Sequence, residues 1–208
     1  MSKNIWPRAI VVALLFALSL IAGIIGGIDF APDVALIGHF EAVRASSPGL
    51  TLAAIAVTQA GSAFATFGGG LGIAAWLFLR RDHWRGALLG AAVVSSRIAV
   101  DGLKLLIDRT RPTFDLHPVA THSSSFPSGH SGNTMAVFLA MALIAAPRAY
   151  RRSAVMVALA ASVIVGATRP YLGVHWPSDV VGGWALGAGL AIIAWMIDET
   201  HGSRPAKQ

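Results

Sequence analysis

The chain has 208 residues, of which 55% are hydrophobic and only 12% charged, and a mean hydropathy of +0.65, which excludes an ordinary soluble domain of this size. The net charge of +6 does not mark a nucleic-acid binder, because the sixteen Lys and Arg fall in small groups between apolar runs. Cysteine is absent, which excludes a disulfide framework, a thiol nucleophile and a thiolate metal site.

In chain order, an apolar run from about Ile10 to Ile28 follows Lys3 and Arg8. It is long for the core of a signal peptide, and Gly26-Gly27-Ile28-Asp29 is a poor cleavage site, so a retained first span is expected. A hydrocarbon core about 30 Å thick needs roughly 17 to 25 helical residues to cross it. Six segments meet or approach that length: 9–28, 51–79, 86–107, 130–147, 153–168 and 178–197. They predict an all-α fold, a six-transmembrane-helix bundle, as one integral membrane domain over 1–200 followed by a tail at 201–208. Between the first two spans, Asp33 to Arg44 sets apolar Leu36, Ile37, Phe40 and Val43 against polar His39, Glu41 and Arg44. That pattern predicts a short interfacial helix capped by Asp33, with a plain loop as the alternative. The second span is long and carries Gly68-Gly69-Gly70 and Gly72, where a tilt or kink is expected. Gly86 with Gly90, and Gly183 with Gly187, predict close helix contacts. Trp84, Trp176, Trp184 and Trp195 lie near span ends, consistent with an aromatic belt.

Short cytoplasmic loops collect Lys and Arg. Lys3 and Arg8 precede the first span; Arg80, Arg81 and Arg85 separate the second and third; Arg148, Arg151 and Arg152 separate the fourth and fifth; Arg204 and Lys207 follow the sixth. All four groups fall on one side, which predicts cytoplasmic termini and leaves three polar islands at the opposite, external face.

The first island, Lys104 to Pro112, places Lys104 and Arg111 seven residues apart, so both are expected on one helix face before Pro112 ends the helix. Two cations there are suited to a phosphoryl group, or are residues snorkelling to the interface. Below them, Arg97 and Asp101, four apart near the middle of the third span, predict a buried ion pair that orients it; a proton or substrate path is the alternative. In the following loop, Asp115, His117 and His122 lack the spacing of a zinc motif. The second island, Pro127 to His130, offers Ser128 as a cap, Gly129 for close backbone approach and free helical N–H groups as an anion seat, or simply a turn that starts a helix. In the third, Arg169, His175 and Asp179, the last two are four apart, so a carboxylate can hold one imidazole nitrogen and leave the other free to attack. Pro177 bears on that geometry, and a cap with an interfacial histidine is the alternative.

Lys104, six residues, Arg111-Pro112; Pro127-Ser128-Gly129-His130; and Arg169, five residues, His175, three residues, Asp179 together resemble the three-part signature of the type 2 phosphatidic acid phosphatase superfamily. The one departure is Thr168, where the family usually has Ser. The resemblance implies an integral membrane lipid phosphatase in which His175 forms a phosphohistidine, Asp179 orients it, and His130 protonates the leaving oxygen and then activates water. It implies that Lys104, Arg111, Arg169, the Ser128 hydroxyl and the Gly129 N–H bind the phosphoryl oxygens, with no metal or other cofactor. The two histidines then need opposite starting states, His175 neutral and His130 protonated, and a bell-shaped pH dependence is expected. Implied substrates are undecaprenyl diphosphate, phosphatidic acid, phosphatidylglycerol phosphate and the phosphates of lipid A; the compact chain favours a polyprenyl diphosphate. A bacterial inner membrane with the site facing the periplasm or exterior is expected, with membrane lipids as surroundings and neither nucleic acid nor an obligatory protein partner. The rival reading is a transporter or scramblase that binds anionic lipid without cleaving it. A vanadate-dependent oxidase is less favoured, since the oxidases it would resemble are soluble.

Overall fold

The computed structural model describes residues 6–113, Val119 and 123–202, and no strand occurs among them. Eight α-helices follow in order: α1 (Trp6–Ile25), α2 (Ala31–Ser46), α3 (Pro48–Thr58), α4 (Gly69–Leu79), α5 (His83–Ile107), α6 (Gly129–Ala140), α7 (Arg151–Tyr171) and α8 (Pro177–Gly202). A 3-10 turn, Gln59–Gly61, and a π-helix, Phe64–Gly68, join α3 to α4, and a second π-helix, Met141–Ala145, extends α6.

Each of the six apolar segments is helical, but four helices are long and apolar enough to cross a membrane, or five if the pair around the 40° bend between α3 and α4 is one span. The remaining segment, α6, has 12 residues plus its five-residue π extension, roughly 25 Å at 1.5 Å per residue and so short of a full crossing. The break in the second span lies at Gln59–Ala63, ahead of the glycines expected to cause it. Gly68, Gly69 and Gly72 have open space around them, whereas a Cβ on Gly61 would meet Val165 at 2.6 Å and His130 at 2.8 Å. Packing on the neighbouring helices, more than glycine flexibility, sets the bend.

The expected helix between the first two spans is present as α2. Phe30, however, occupies its cap position, and the buried Asp33 carboxylate instead accepts the backbone N–H of Gly27 (2.7 Å) and of Ser178 (2.9 Å), and the Ser178 hydroxyl. Asp33 thus ties α2 to the start of α8.

Helix α8 is the central post, with α6, α1, α5, α7 and α2 packed on it. Gly183 and Gly187 lie against the backbone of α6, where a Cβ would meet Ser128 O at 2.8 Å and Gly132 O at 2.4 Å; these two helices approach as the small residues predict. Gly86 sits close to α4, with Ala74 O 2.9 Å from a Cβ position, but Gly90 touches nothing. Leu89, Ala140, Leu143, Ile144, Ala191 and Ala194 form the main buried core. Outward faces carry exposed Leu14, Ile24, Leu105, Leu106 and Met156, the surface that lipid tails solvate.

Two of the four basic groups are brought together by contacts with α8. Arg8 pairs with Glu199, and Arg85 with Asp198 at 3.2 Å, so the start of α1, the start of α5 and the end of α8 share one end of the bundle. Trp84 stacks on His201 there, and Arg8 lies over Trp195. Lys3, Arg204 and Lys207 lie outside the described residues. Trp184 departs from the belt: it is inside the bundle, its indole N–H donating to Ser162 O at 3.0 Å with the ring against Gly166.

Candidate active site

At the end of the bundle opposite those ion pairs, Arg97, Asp101, Lys104, Arg111, Gly129, His130, Asn133, Arg169 and His175 line one cavity of about 370 Å³, with Gly61 and Ala63 from the break in the second span. The three islands therefore converge. His175 is buried in the turn between α7 and α8. Its Nδ1 lies 3.5 Å from Asp179 Oδ2, and its Nε2 lies 3.1 Å from the Arg111 guanidinium. Arginine only donates, so Nε2 must be the acceptor in that contact and the ring proton belongs on Nδ1, toward the carboxylate. Burial first, then the positive charges of Arg111 and Arg169, push the His175 pKa well below 6.5, so the ring is neutral at neutral pH.

The helix does not extend back to His175, because α8 begins at Pro177. Asp179 instead reaches backward from the first turn, accepting the Trp176 N–H at 2.8 Å. Its Oδ2 also takes a hydrogen bond from Ser125, whose hydroxyl is 3.4 Å from His175 Nδ1, so this serine bridges acid and imidazole.

Lys104 and Arg111 meet in the cavity, but not on one helical stripe. The left-handed Asp108 (φ 39°) ends α5 after Ile107, its N–H closing on Lys104 O at 3.1 Å, and Arg111 comes from the segment beyond. Asp is one of the few residues whose side chain tolerates that conformation. Lys104 donates to Ser124 O. Arg111 donates to Ser123 O at 2.8 Å and to Val174 O. Arg169, on the last turn of α7, is 5% exposed; it donates to Thr58 Oγ1 at 2.8 Å, and its Nε has no partner among the described residues. Among the described residues all three cations are held by carbonyl and hydroxyl oxygens and the His175 ring, with no carboxylate bonded to them, leaving their charge for an anion.

His130 is the second residue of α6, with its ring against Gly61. Ser128 holds the cap position of α6 but makes no side-chain cap bond. It is fully buried, Ser131 donates to its Oγ at 3.1 Å, and its own N–H donates to Asp179 O at 3.0 Å. Gly129, not Ser128, forms the cavity wall. The buried Asn133 one turn on has an amide oxygen with no partner among the described residues.

Arg109, inside the first island, went unread in the sequence. Its guanidinium pairs with Asp179 Oδ1 at 2.7 Å, donates to Ser178 Oγ at 2.9 Å and to Ala22 O at 2.8 Å, and lies over the Phe126 ring. Both partners are buried, the side chains being 8% and 0% exposed. The charge of Asp179 is thus matched from behind while its other oxygen serves His175. The signal in the sequence was a third cation beside Lys104 and Arg111, masked by the assumption of an unbroken helix.

Two further expectations change. Arg97 and Asp101 do pair, but their side chains are 50% and 46% exposed and line the cavity; they are not sealed in the bundle. Trp176 is 1% exposed with its indole N–H on Thr110 O at 2.9 Å, which makes it an internal clamp and not a belt residue. Asp115, His117 and His122 lie outside the described residues; among those described, no group of three His, Cys, Asp or Glu is arranged to hold a metal ion.

The model of the PAP2 superfamily matches residues 85–202. Phosphatidylglycerophosphatase B of Bacillus subtilis is 35% identical over 133 residues, 61% of this chain and 64% of that protein. A lipid A 1-phosphatase of Rhizobium johnstonii is 38% identical over 55% of this chain and 48% of its own length. An undecaprenyl-diphosphatase of Sulfolobus acidocaldarius is 36% identical over 43% and 40%. The chain thus spans between two fifths and two thirds of the length of these curated relatives. The crystal structure of a transmembrane PAP2 type phosphatidylglycerolphosphate phosphatase from Bacillus subtilis superposes with a TM-score of 0.83 at 29% identity, covering 94% of this chain and 98% of that one.

Proposed function

The chain belongs to the PAP2 superfamily, and from that premise we propose that it is an integral membrane phosphatase that removes the terminal phosphate of a lipid phosphate or diphosphate. The observation that carries this reading is the convergence of His130, His175 and three cations without carboxylate bonds on one cavity. A preorganised set of donors around a phosphoryl group supplies most of what phosphoryl transfer needs.

In this reading His175 Nε2 attacks phosphorus, forming a P–N bond as the P–O bond to the lipid breaks; the bound phosphate offsets the surrounding cations, so His130 takes up a proton on binding and gives it to the departing oxygen. Asp179 keeps the ring in the attacking tautomer and stabilises the imidazolium. Water then attacks phosphorus, His130 takes its proton, and the P–N bond breaks to release inorganic phosphate. Lys104, Arg111, Arg169 and the Gly129 N–H bind the phosphoryl oxygens; Ser128 supports Gly129 and Asp179 through its backbone. No metal enters this scheme, so phosphate release should withstand EDTA.

The preferred substrate is undecaprenyl diphosphate, with phosphatidic acid or phosphatidylglycerol phosphate next, hydrolysed at the periplasmic or external face of a bacterial inner membrane with both termini in the cytoplasm. The test is phosphate release by purified protein from these lipids. Wild type should turn over at least one of them, and His175→Ala should lose at least about 10⁴-fold in rate. Equal turnover by the two proteins would overturn the role of His175 as nucleophile, and lipid transport without phosphate release would replace the enzyme with the carrier reading.

A further inference from the structure

Arg97 and Asp101 share the cavity with the phosphate-binding cations yet belong to none of the three motifs. At 100° per residue around α5, they stand on the strip between its buried edge, Leu89, Val93 and Val100, and its outward apolar edge, Val94, Ile98 and Leu105. That strip is where the polar cavity meets the lipid. Side chains on a helix tilt toward its N-terminus, which would draw Arg97 away from the site. The bond from Arg97 Nε to Asp101 pulls it the other way and brings the guanidinium to the level of Asp101. Asp101 is three residues before Lys104, about 4.5 Å along the axis. Only Nε is engaged; the two terminal nitrogens of Arg97 have no protein partner among the described residues. A pair whose only task was to orient α5 would be turned into the bundle, because charge at this depth is costly unless it is buried with its partner or faces water.

We propose that Arg97, steered by Asp101, is a second anion site that binds the lipid-side phosphate of a diphosphate substrate while Lys104, Arg111 and Arg169 hold the phosphate to be transferred. The inference rests on the phosphatase reading of the cavity and narrows it to the diphosphate class. A lipid whose terminal phosphorus sits at His175 and whose tail leaves along this exposed apolar edge carries its next polar group past Arg97. Asp101 cancels the net charge of Arg97, so selectivity comes from the terminal N–H groups of a planar fork, which match a phosphate geometrically and which lysine does not reproduce.

Two probes with the same tail isolate the second phosphate: farnesyl diphosphate and farnesyl monophosphate, hydrolysed by the full chain in detergent. Arg97→Gln should lower the diphosphate-to-monophosphate ratio of kcat/KM at least tenfold, mainly through KM for the diphosphate, and Arg97→Lys should restore only part of it. Arg97→Gln with Asp101→Asn leaves no unpaired charge in α5, so it keeps the test open if the single variant misfolds, and it should show the same fall. A ratio within twofold of wild type in folded variants overturns the proposal. If wild type cleaves neither probe, the phosphatase reading is judged on the longer lipids above and binding decides the subsite. Stronger thermal stabilisation by methylenediphosphonate than by methylphosphonate, abolished in Arg97→Gln, supports it; equal stabilisation by the two overturns it.

Discussion

The two ends of the bundle treat charge in opposite ways. At one end Arg8 and Arg85 each meet a carboxylate of α8, Glu199 and Asp198. At the other, the buried carboxylate Asp179 is taken by Arg109, and Lys104, Arg111 and Arg169 are left with carbonyl and hydroxyl oxygens. A bundle that only had to hold together would match these cations as well. The imbalance at one end is what an anionic ligand supplies.

Substitutions at the two ends should therefore act on different quantities. Arg111→Gln should lower kcat/KM by about 10³-fold, as expected for loss of a transition-state donor. It should also move the acid limb of the pH profile. Burial and Arg111 together hold the His175 pKa below 6.5, so in wild type the fall in kcat/KM on acidification begins well below pH 6.5; removing the charge lets that pKa rise and shifts the limb to higher pH. A limb that stayed in place would show that another group sets it. Arg109→Gln removes the counter-charge of the buried Asp179 carboxylate, and a fall in kcat of about 100-fold with little change in KM is expected, since Arg109 touches no cavity wall. Gly61→Ala forces a methyl to within 2.8 Å of the His130 ring, and a rate loss of about tenfold should follow from overpacking, read by steady-state kinetics on folded protein. Asp198→Asn, at the matched end, should leave kcat/KM unchanged and lower the melting temperature in detergent by about 2–4 °C. A large rate loss there would erase the contrast between the ends.

Much of this organisation was legible in the residues. The apolar runs mark the helices because a hydrocarbon solvent leaves the backbone few alternatives, and the basic groups, read without reference to the islands, sort the helix ends onto two sides. The seven-residue spacing of Lys104 and Arg111 pointed to the right pair by the wrong geometry. Asp108 ends the helix between them, and nothing in the apolar pattern announces a left-handed aspartate. The bend at Gln59–Ala63 was equally silent, since it arises from Gly61 meeting His130 and Val165, residues distant in sequence. Trp176 looked like an interface residue because its neighbours are polar; Thr110, 66 positions away, is what makes it internal. Arg109 was hidden in plain view, since a cation among cations suggests ligand binding, and its actual partner is known only once α8 is brought beside it.

The Asp33 carboxylate joins the turn before α2 to Ser178, which in turn receives Arg109, the partner of Asp179. One side chain on α2 is thereby wired to the orientation of His175 three hydrogen-bonded groups away. Anyone re-engineering head-group choice should leave residue 33 untouched and work from residue 97, because at the first position durability and turnover change together, whereas at the second they can be tuned apart.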